Sequence, residues 1–277
     1  MHHKIDYYAF TIPVRSPYSE TEENYDIFAR KVFTSITAIH QIEETFSSGW
    51  ELEKGTGFYK ARLRHEKSGV ALSFGTINPH IYVELSGKSC DCLSELNALA
   101  PLISETGERA SRIDFAVDIV TDEMPAVFSA FRNETRWKHL STINSATGQT
   151  CYVGSRKGER MARVYRYASP HPRSHLLRVE AEYKGDAARA ACAELQTRSL
   201  EQVCLAAHVA FGWSSHVWLS AEETAVKIPY SSHNPTNAAT VLWIYNVVAA
   251  SLRNAVVNGL IDWREFEKRV LGDDTEQ

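Results

Sequence analysis

Phenols, carboxylates and cations alternate with apolar residues along Thr150–Ala187, TCYVGSRKGERMARVYRYASPHPRSHLLRVEAEYKGDA. Arg163, Tyr165 and Tyr167 alternate around Val164, and Arg178, Glu180, Glu182 and Lys184 alternate with Val179 and Tyr183. Residues two apart on a strand share a face. Read as strands, the two runs bring a phenol, oxygen ligands and guanidinium groups to one surface. Tyrosine is a weak nucleophile at neutral pH, because its pKa is about 10. Guanidinium groups or a metal ion beside it favour the phenolate and stabilise a phosphate under attack. On pattern alone, a strand tyrosine serves packing more often than chemistry.

A third strand pattern adds acids. Arg112–Val120 (RIDFAVDIV) sets Arg112, Asp114, Ala116 and Asp118 on one face, with isoleucine, phenylalanine and valine on the other. Asp114 and Asp118 would stand about 13–14 Å apart at the rise of a strand. That is too far for both to hold one ion, but either could meet Glu180 or Glu182 from a neighbouring strand. Oxygen ligands of this kind suit Mg²⁺ or Mn²⁺. Salt bridges to Arg112 and Arg178 are an equally good use of the same residues.

The chain as a whole carries a net charge of −4, which argues against a protein that coats nucleic acid indiscriminately. Locally the balance reverses. Arg156, Lys157, Arg160, Arg163, Arg166, Arg173, Arg178 and Lys184 face only Glu159, Glu180 and Glu182 between positions 155 and 184. The five cysteines have no repeated spacing and point to a reducing compartment. Cys90-x-Cys92 lacks the partner pair that a zinc site needs. Gly87-Lys88-Ser89 resembles the end of a phosphate-binding loop, but the glycine required five residues earlier is Tyr82. His171 and His175 flank a proline-rich turn and form no His-x-His strand. No signal-peptide core is apparent near the N-terminus, and the most apolar run, Ala238–Leu260, contains Asn246, Arg253, Asn254 and Asn258. A cytoplasmic protein without a membrane span is expected.

The elements that position these residues follow from periodicity. Ile5–Pro13 reads as a strand, and Thr21–Phe46 as a helix with Tyr25, Phe28, Val32, Phe33, Ile36 and Ile39 along one side. Trp50–Arg64, Val70–Gly75 and His80–Ser86 read as three strands, followed by a helix at Ser89–Ile103. The order then repeats. Arg112–Val120 resembles the first strand down to a shared Ile-Asp pair, with a short helix near Pro125–Arg132 after it. Strands at Leu140–Asn144, Thr150–Gly154, Met161–Tyr167 and Leu176–Lys184 and a helix at Asp186–Gln196 complete the unit. Glu84 and Glu180 occupy matching places. The expected fold is α+β: duplicated β-α-β-β-β-α units form antiparallel sheets packed by helices, with a helical C-terminal region. The expected divisions are 1–108, a non-catalytic first copy; 109–198, the copy with the active site; and 199–277, helices packing on the sheets. Trp213, Trp218, Trp243 and Trp263 in that last region read as core residues rather than base-stacking platforms. Gly259 reads as a helix C-cap.

Five of these stretches, in order, resemble the replication initiation factor family, the rolling-circle initiators of plasmids and filamentous phages and their relaxase-like relatives in conjugative elements. IDYYAFTIP resembles the opening strand of the family. HIYVELSGKSC resembles its Glu-x-Ser-Gly-x-x-Cys strand and turn, and RIDFAVDI its Arg-x-Asp-x-x-x-Asp strand. TCYVGSRKGERMARVY resembles the Tyr-x-Gly-Ser-Arg…Arg-x-Tyr hairpin, and LLRVEAEYKGDAA the Arg-x-Glu-x-x-x-Lys strand. The helical flavour of ATVLWIYNVVAASL is also similar.

The resemblance implies a DNA endonuclease and strand transferase that nicks one strand at a replication origin. A tyrosine would attack, leaving a 5′-phosphotyrosine adduct and a free 3′ hydroxyl. Tyr165 corresponds to that nucleophile, with Tyr167 second and Arg163 beside it. Asp114, Glu180 and Glu182, and with them Asp118, correspond to ligands of a divalent metal, Mg²⁺ or Mn²⁺. Arg163 and Arg178 would hold phosphate oxygens. Arg156, Lys157, Arg160, Arg166, Arg173, Arg178 and Lys184 would contact DNA. The implied partners are single-stranded or hairpin origin DNA and a host helicase, and a homodimer is compatible with this reading. The chain departs from the family after Tyr165, where Arg166, Tyr167 and Ala168 replace an acidic residue and a lysine. That departure keeps open a second reading, an origin-binding or regulatory protein that has lost catalysis on the same fold.

Overall fold

A computed structural model of the chain describes residues 2–13, 49–57, 59–75, 80–120, 124–135, 137–146, 148–167, 175–213, 228–229, 253, 255–260, 262 and 264. The helix expected at Thr21–Phe46, most of the apolar C-terminal run, Arg173 and His171 lie outside them. Two compact units divide the chain, Met1–Tyr230 and Ser231–Gln277.

The first unit is built on one ten-stranded antiparallel sheet, and the expected α+β class holds. Its strands are β1 (His2–Pro13), β2 (Trp50–Lys54), β3 (Ala61–His65), β4 (Ala71–Phe74) and β5 (His80–Ser86), then β6 (Ala110–Val120), β7 (Leu140–Ser145), β8 (Gly148–Val153), β9 (Arg160–Tyr167) and β10 (Leu176–Lys184). They are ordered β2-β3-β4-β5-β1-β6-β10-β9-β8-β7. Each half places its first strand at the centre and its last strand next to it, then runs outward in reverse order. Trp50–Arg64, expected as one strand, is two. The segment around Gly55 and Tyr59 turns the chain back, with the Gly55 N–H donating to the Lys60 carbonyl. Four strands, not three, therefore follow β1 in the first half, matching the four that follow β6 in the second.

Helices α1 (Gly87–Glu95), α2 (Leu99–Thr106), α4 (Gly185–Leu195) and α5 (Leu200–Val209) pack around the central strands. A further helix, α3 (Met124–Glu134), lies between β6 and β7 in sequence. The core follows from alternation. Tyr8 and Phe10 of β1, Ile113, Phe115 and Val117 of β6, and Leu177, Val179 and Tyr183 of β10 are all fully buried. Each such apolar side chain contributes about 1.5–3 kcal/mol by leaving water. Trp213 is fully buried and donates from Nε1 to the Phe131 carbonyl, as expected of a core tryptophan. Ser199 and Gln202 form a capping box that starts α5, each satisfying the other's backbone N–H.

Alternation leaves the opposite face polar. One irregularity matters there: the β1–β6 register shifts between Ile5 and Tyr7. The extra residue lets Asp6 and Tyr7 both join the polar side while Ile5 and Tyr8 stay in the core.

The β8–β9 hairpin turns through Gly154 at φ +89, where an added Cβ would lie 3.2 Å from the Trp137 ring. Gly154→Ala is expected to cost more than about 1 kcal/mol in urea unfolding; an unchanged midpoint would contradict this. In the second unit, residues 255–257 are helical and end at Gly259, φ +68. The Leu260 N–H donates to the Ala255 carbonyl and the Gly259 N–H to that of Val256, so Gly259 is the C-cap expected. No described helix is long and apolar enough to cross a membrane.

Candidate active site

Register assembles the polar face. Glu180 stands opposite Arg163, Arg178 opposite Tyr165 and Glu182 opposite Met161 across β10 and β9. Across β6, Glu182 faces Asp114 and Arg178 faces Asp118. Arg163, Tyr165, Arg178, Glu180, Glu182 and Lys184 thus share the face expected from alternation, and β6 adds Arg112, Asp114 and Asp118.

The half-buried Tyr165 hydroxyl donates to Glu180 Oε1, and Arg163 Nε donates to Glu180 Oε2. Glu180 is only 1% exposed, so both carboxylate oxygens depend on these two partners. A phenol, its acceptor and the cation orienting that acceptor form a connected row.

Asp114, equally buried, receives Arg112 Nε at 2.8 Å and Nη2 at 2.6 Å. The same Nη2 lies 2.6 Å from Glu182 Oε2, and Lys184 Nζ lies 2.5 Å from Glu182 Oε1. Arg163 Nη2 approaches Asp114 at 3.9 Å and links this group to the first. Asp118 belongs to a different group. Arg178 Nε and Nη2 grip it at 2.6 and 2.7 Å, while Arg178 Nη1 reaches Asp6 at 3.1 Å. Lys4 continues from Asp6 to Asp91 on α1, at 3.1 Å each.

The four carboxylates thus fall into three groups: Glu180 accepts from Tyr165, Asp114 and Glu182 share Arg112 in the row opposite Met161, and Arg178 holds Asp118 in the row opposite Tyr165. Whether the expected Mg²⁺ or Mn²⁺ fits can be judged from the donors. Every carboxylate oxygen of Asp114, Asp118, Glu180 and Glu182 is occupied by a guanidinium, an ammonium or a phenol. Among the described residues, no three His, Cys, Asp or Glu side chains are placed to hold one ion. In this arrangement the carboxylates do not fit a metal cage; a cation would have to displace Arg112 or Arg163.

The expected basic surface is also divided. Arg178 is buried in its pair with Asp118, and Lys184 is held by Glu182 and the Arg156 carbonyl. Arg160 and Arg166 alternate onto the helix-packed side of β9, and Arg160 lies over the Trp137 ring at 5.6 Å. Arg156 and Lys157, in the β8–β9 turn, are exposed. Tyr167 ends β9 opposite Gly148; its side chain is outside the described set.

Sequence reading gave Asp6 no part and Arg112 a salt bridge to these acids as one of two readings; the salt bridge forms, and Asp6 joins the network through Arg178. The Ile5-Asp6 and Ile113-Asp114 pairing between the halves was the available signal. The first half has a comparable group. Tyr7 donates to Glu84 at 2.5 Å, Arg62 reaches Glu84 at 3.0 Å, and Arg112 lies 4.3 Å over the Tyr7 ring. Burial, with Tyr82 and Glu84 nearby, pushes the Tyr7 phenol far above its ordinary value, so it stays protonated.

Burial also pushes the Asp114 carboxyl from 3.8 up to about 6, against the pull of Arg112 and Arg163. A raised acid favours the folded state while it is protonated and loses that advantage as pH rises through the folded value. Between pH 4 and 7 the wild type is therefore expected to lose about 2 kcal/mol relative to Asp114→Asn. Chemical unfolding of both proteins across that range measures it; parallel curves would contradict it.

No family model matches the chain, and no curated protein matches it in sequence. Among solved structures, the chain is similar to a rolling circle replication initiator protein from Geobacillus stearothermophilus. The match has a TM-score of 0.51 and 15% identity, covering 82% of this chain and 92% of that one. At that identity the likeness shows a shared fold. A second structure, DynU16 of the dynemicin biosynthetic locus, covers 78% of this chain and 98% of its own at 13% identity. Its TM-score of 0.20 carries no argument.

Proposed function

We propose that the chain is a rolling-circle replication initiator that nicks one DNA strand at an origin with Tyr165. The row Tyr165–Glu180–Arg163 carries this reading, and the fold shared with an initiator structure supports it. Glu180 takes the phenolic proton, and Arg163 fixes the carboxylate that receives it. The Tyr165 oxygen then bonds to phosphorus, and the bond from phosphorus to the 3′ oxygen breaks. The 3′ oxygen leaves as a hydroxyl with the proton returned by Glu180, and the 5′ phosphate remains on Tyr165. Reversal on a new 3′ hydroxyl transfers the strand. Exposed Arg156 and Lys157 meet the DNA backbone. Strand separation falls to a separate helicase. No step is routed through a metal ion, because the carboxylates already have partners.

Those saturated carboxylates, together with the residues after Tyr165, favour one second reading: an origin-binding protein without catalysis. Nicking of a supercoiled origin plasmid, with Mg²⁺, with Mn²⁺ and with chelator, separates the two. The proposal expects nicking that Tyr165→Phe abolishes. Salt-dependent origin binding without any nicking would support the second reading, and full activity in both Tyr165→Phe and Tyr167→Phe would remove either residue as the nucleophile.

A further inference from the structure

Beyond Tyr165 the polar face continues onto β8. Thr150 stands opposite Tyr165, and Tyr152 stands opposite Arg163. Tyr152 is therefore the diagonal neighbour of Tyr165, about 7–8 Å away at the backbone. It is half-buried, and the guanidinium of exposed Arg156 lies over its ring at 4.5 Å. Further out, β7 is exposed along its whole length, and Ile143 lies opposite Thr150. The face thus changes from buried ion pairs on β6 and β10 to an open surface bearing an aromatic ring and a cation.

We propose that Tyr152 is a base-stacking subsite of the same nicking site, taking a nucleobase of single-stranded DNA next to the phosphate held at Tyr165. This rests on the reading of Tyr165 given above. The slot on the ring already admits one planar π-system, the Arg156 guanidinium, and a nucleobase is another. Arg156 has a long exposed side chain and no carboxylate partner among the bonds described for it. When the base enters, it turns to the adjoining phosphate. Its backbone does not move with it, because Lys184 Nζ donates to the Arg156 carbonyl at 3.1 Å and ties the turn to β10. Stacking on an aromatic ring tolerates any base, so this subsite positions the strand and leaves origin choice to other contacts.

The test compares binding of the full chain to (dT)15 and to a fifteen-unit abasic deoxyribose-phosphate strand, at low salt. Tyr152→Ala is expected to weaken (dT)15 binding by about 5- to 150-fold, the range for one stacked base. It should leave binding of the abasic strand unchanged, while Tyr152→Phe behaves as wild type. Equal weakening of both strands would show a structural role, and no weakening would show that no base uses the ring; either overturns the proposal. If wild type binds neither strand, the subsite and the nicking function fall together. Binding with a normal Tyr165 adduct but no effect of Tyr152→Ala removes the subsite alone.

Discussion

Glu180→Gln is expected to slow strand cleavage by about 10²–10⁴-fold, the usual contribution of a positioned general base. Glutamine keeps an oxygen for Arg163 and a polar contact for Tyr165, so the row retains its shape. It cannot accept the phenolic proton. The loss should therefore appear in the single-turnover rate, with DNA binding held within a few fold of wild type. Glu180 accepts from both Tyr165 and Arg163 at 1% exposure, so water has little access to replace it. A Glu180→Gln protein that nicks at the wild-type rate would show that the carboxylate only supports the fold. Arg163→Lys tests the orienting half, because an ammonium group cannot reproduce the directed Nε–H of guanidinium.

The largest stability effect is expected at Arg178. Its bidentate pair with Asp118 and its contact to Asp6 join β10, β6 and β1, the three central strands. Arg178→Ala leaves two largely buried carboxylates without that partner. Loss of one member of a buried pair costs about 3–5 kcal/mol. Asp6 and Asp118 keep 17% and 18% exposure and Asp6 keeps Lys4, which favours the lower end, about 3 kcal/mol. For a unit of this size, that is a fall in Tm of roughly 6–12 °C. Thermal unfolding of Arg178→Ala checks it, and a fall below a degree or two would contradict the assignment. Arg178→Leu should recover little, since it restores volume but not the charge.

Both effects rest on arginines and carboxylates that alternation placed on the right face; their salt bridges, Arg112 to Asp114 and Arg178 to Asp118, were one of two open readings, and they form. Period two in Arg163–Tyr167 and Leu176–Lys184 predicts which side chains share a face, and the β9–β10 register confirms it. The antiparallel α+β class and the repeat of element order were legible for the same reason. Local pattern could not supply the pairing across strands. Whether Arg178 holds phosphate or Asp118 depends on β6 lying next to β10, a contact between residues sixty positions apart. The split of Trp50–Arg64 into two strands was hidden because Gly55 and Gly57 sit inside an otherwise strand-like run. Asp6 was missed because a one-residue bulge moved it onto the polar face. In the second unit, Ser231–Gln277, the C-cap at Gly259 was legible because glycine there meets the left-handed geometry that ends a helix.

The central claim is that Tyr165 becomes covalently joined to DNA. The full chain is incubated with single-stranded DNA carrying its origin, digested with protease and nuclease, and analysed by mass spectrometry for a nucleotide-bearing peptide. The account predicts a 5′-phosphonucleotide on Tyr165, absent from Tyr165→Phe. An adduct on Tyr167 or any other residue, or tight origin binding that never yields an adduct, would contradict it.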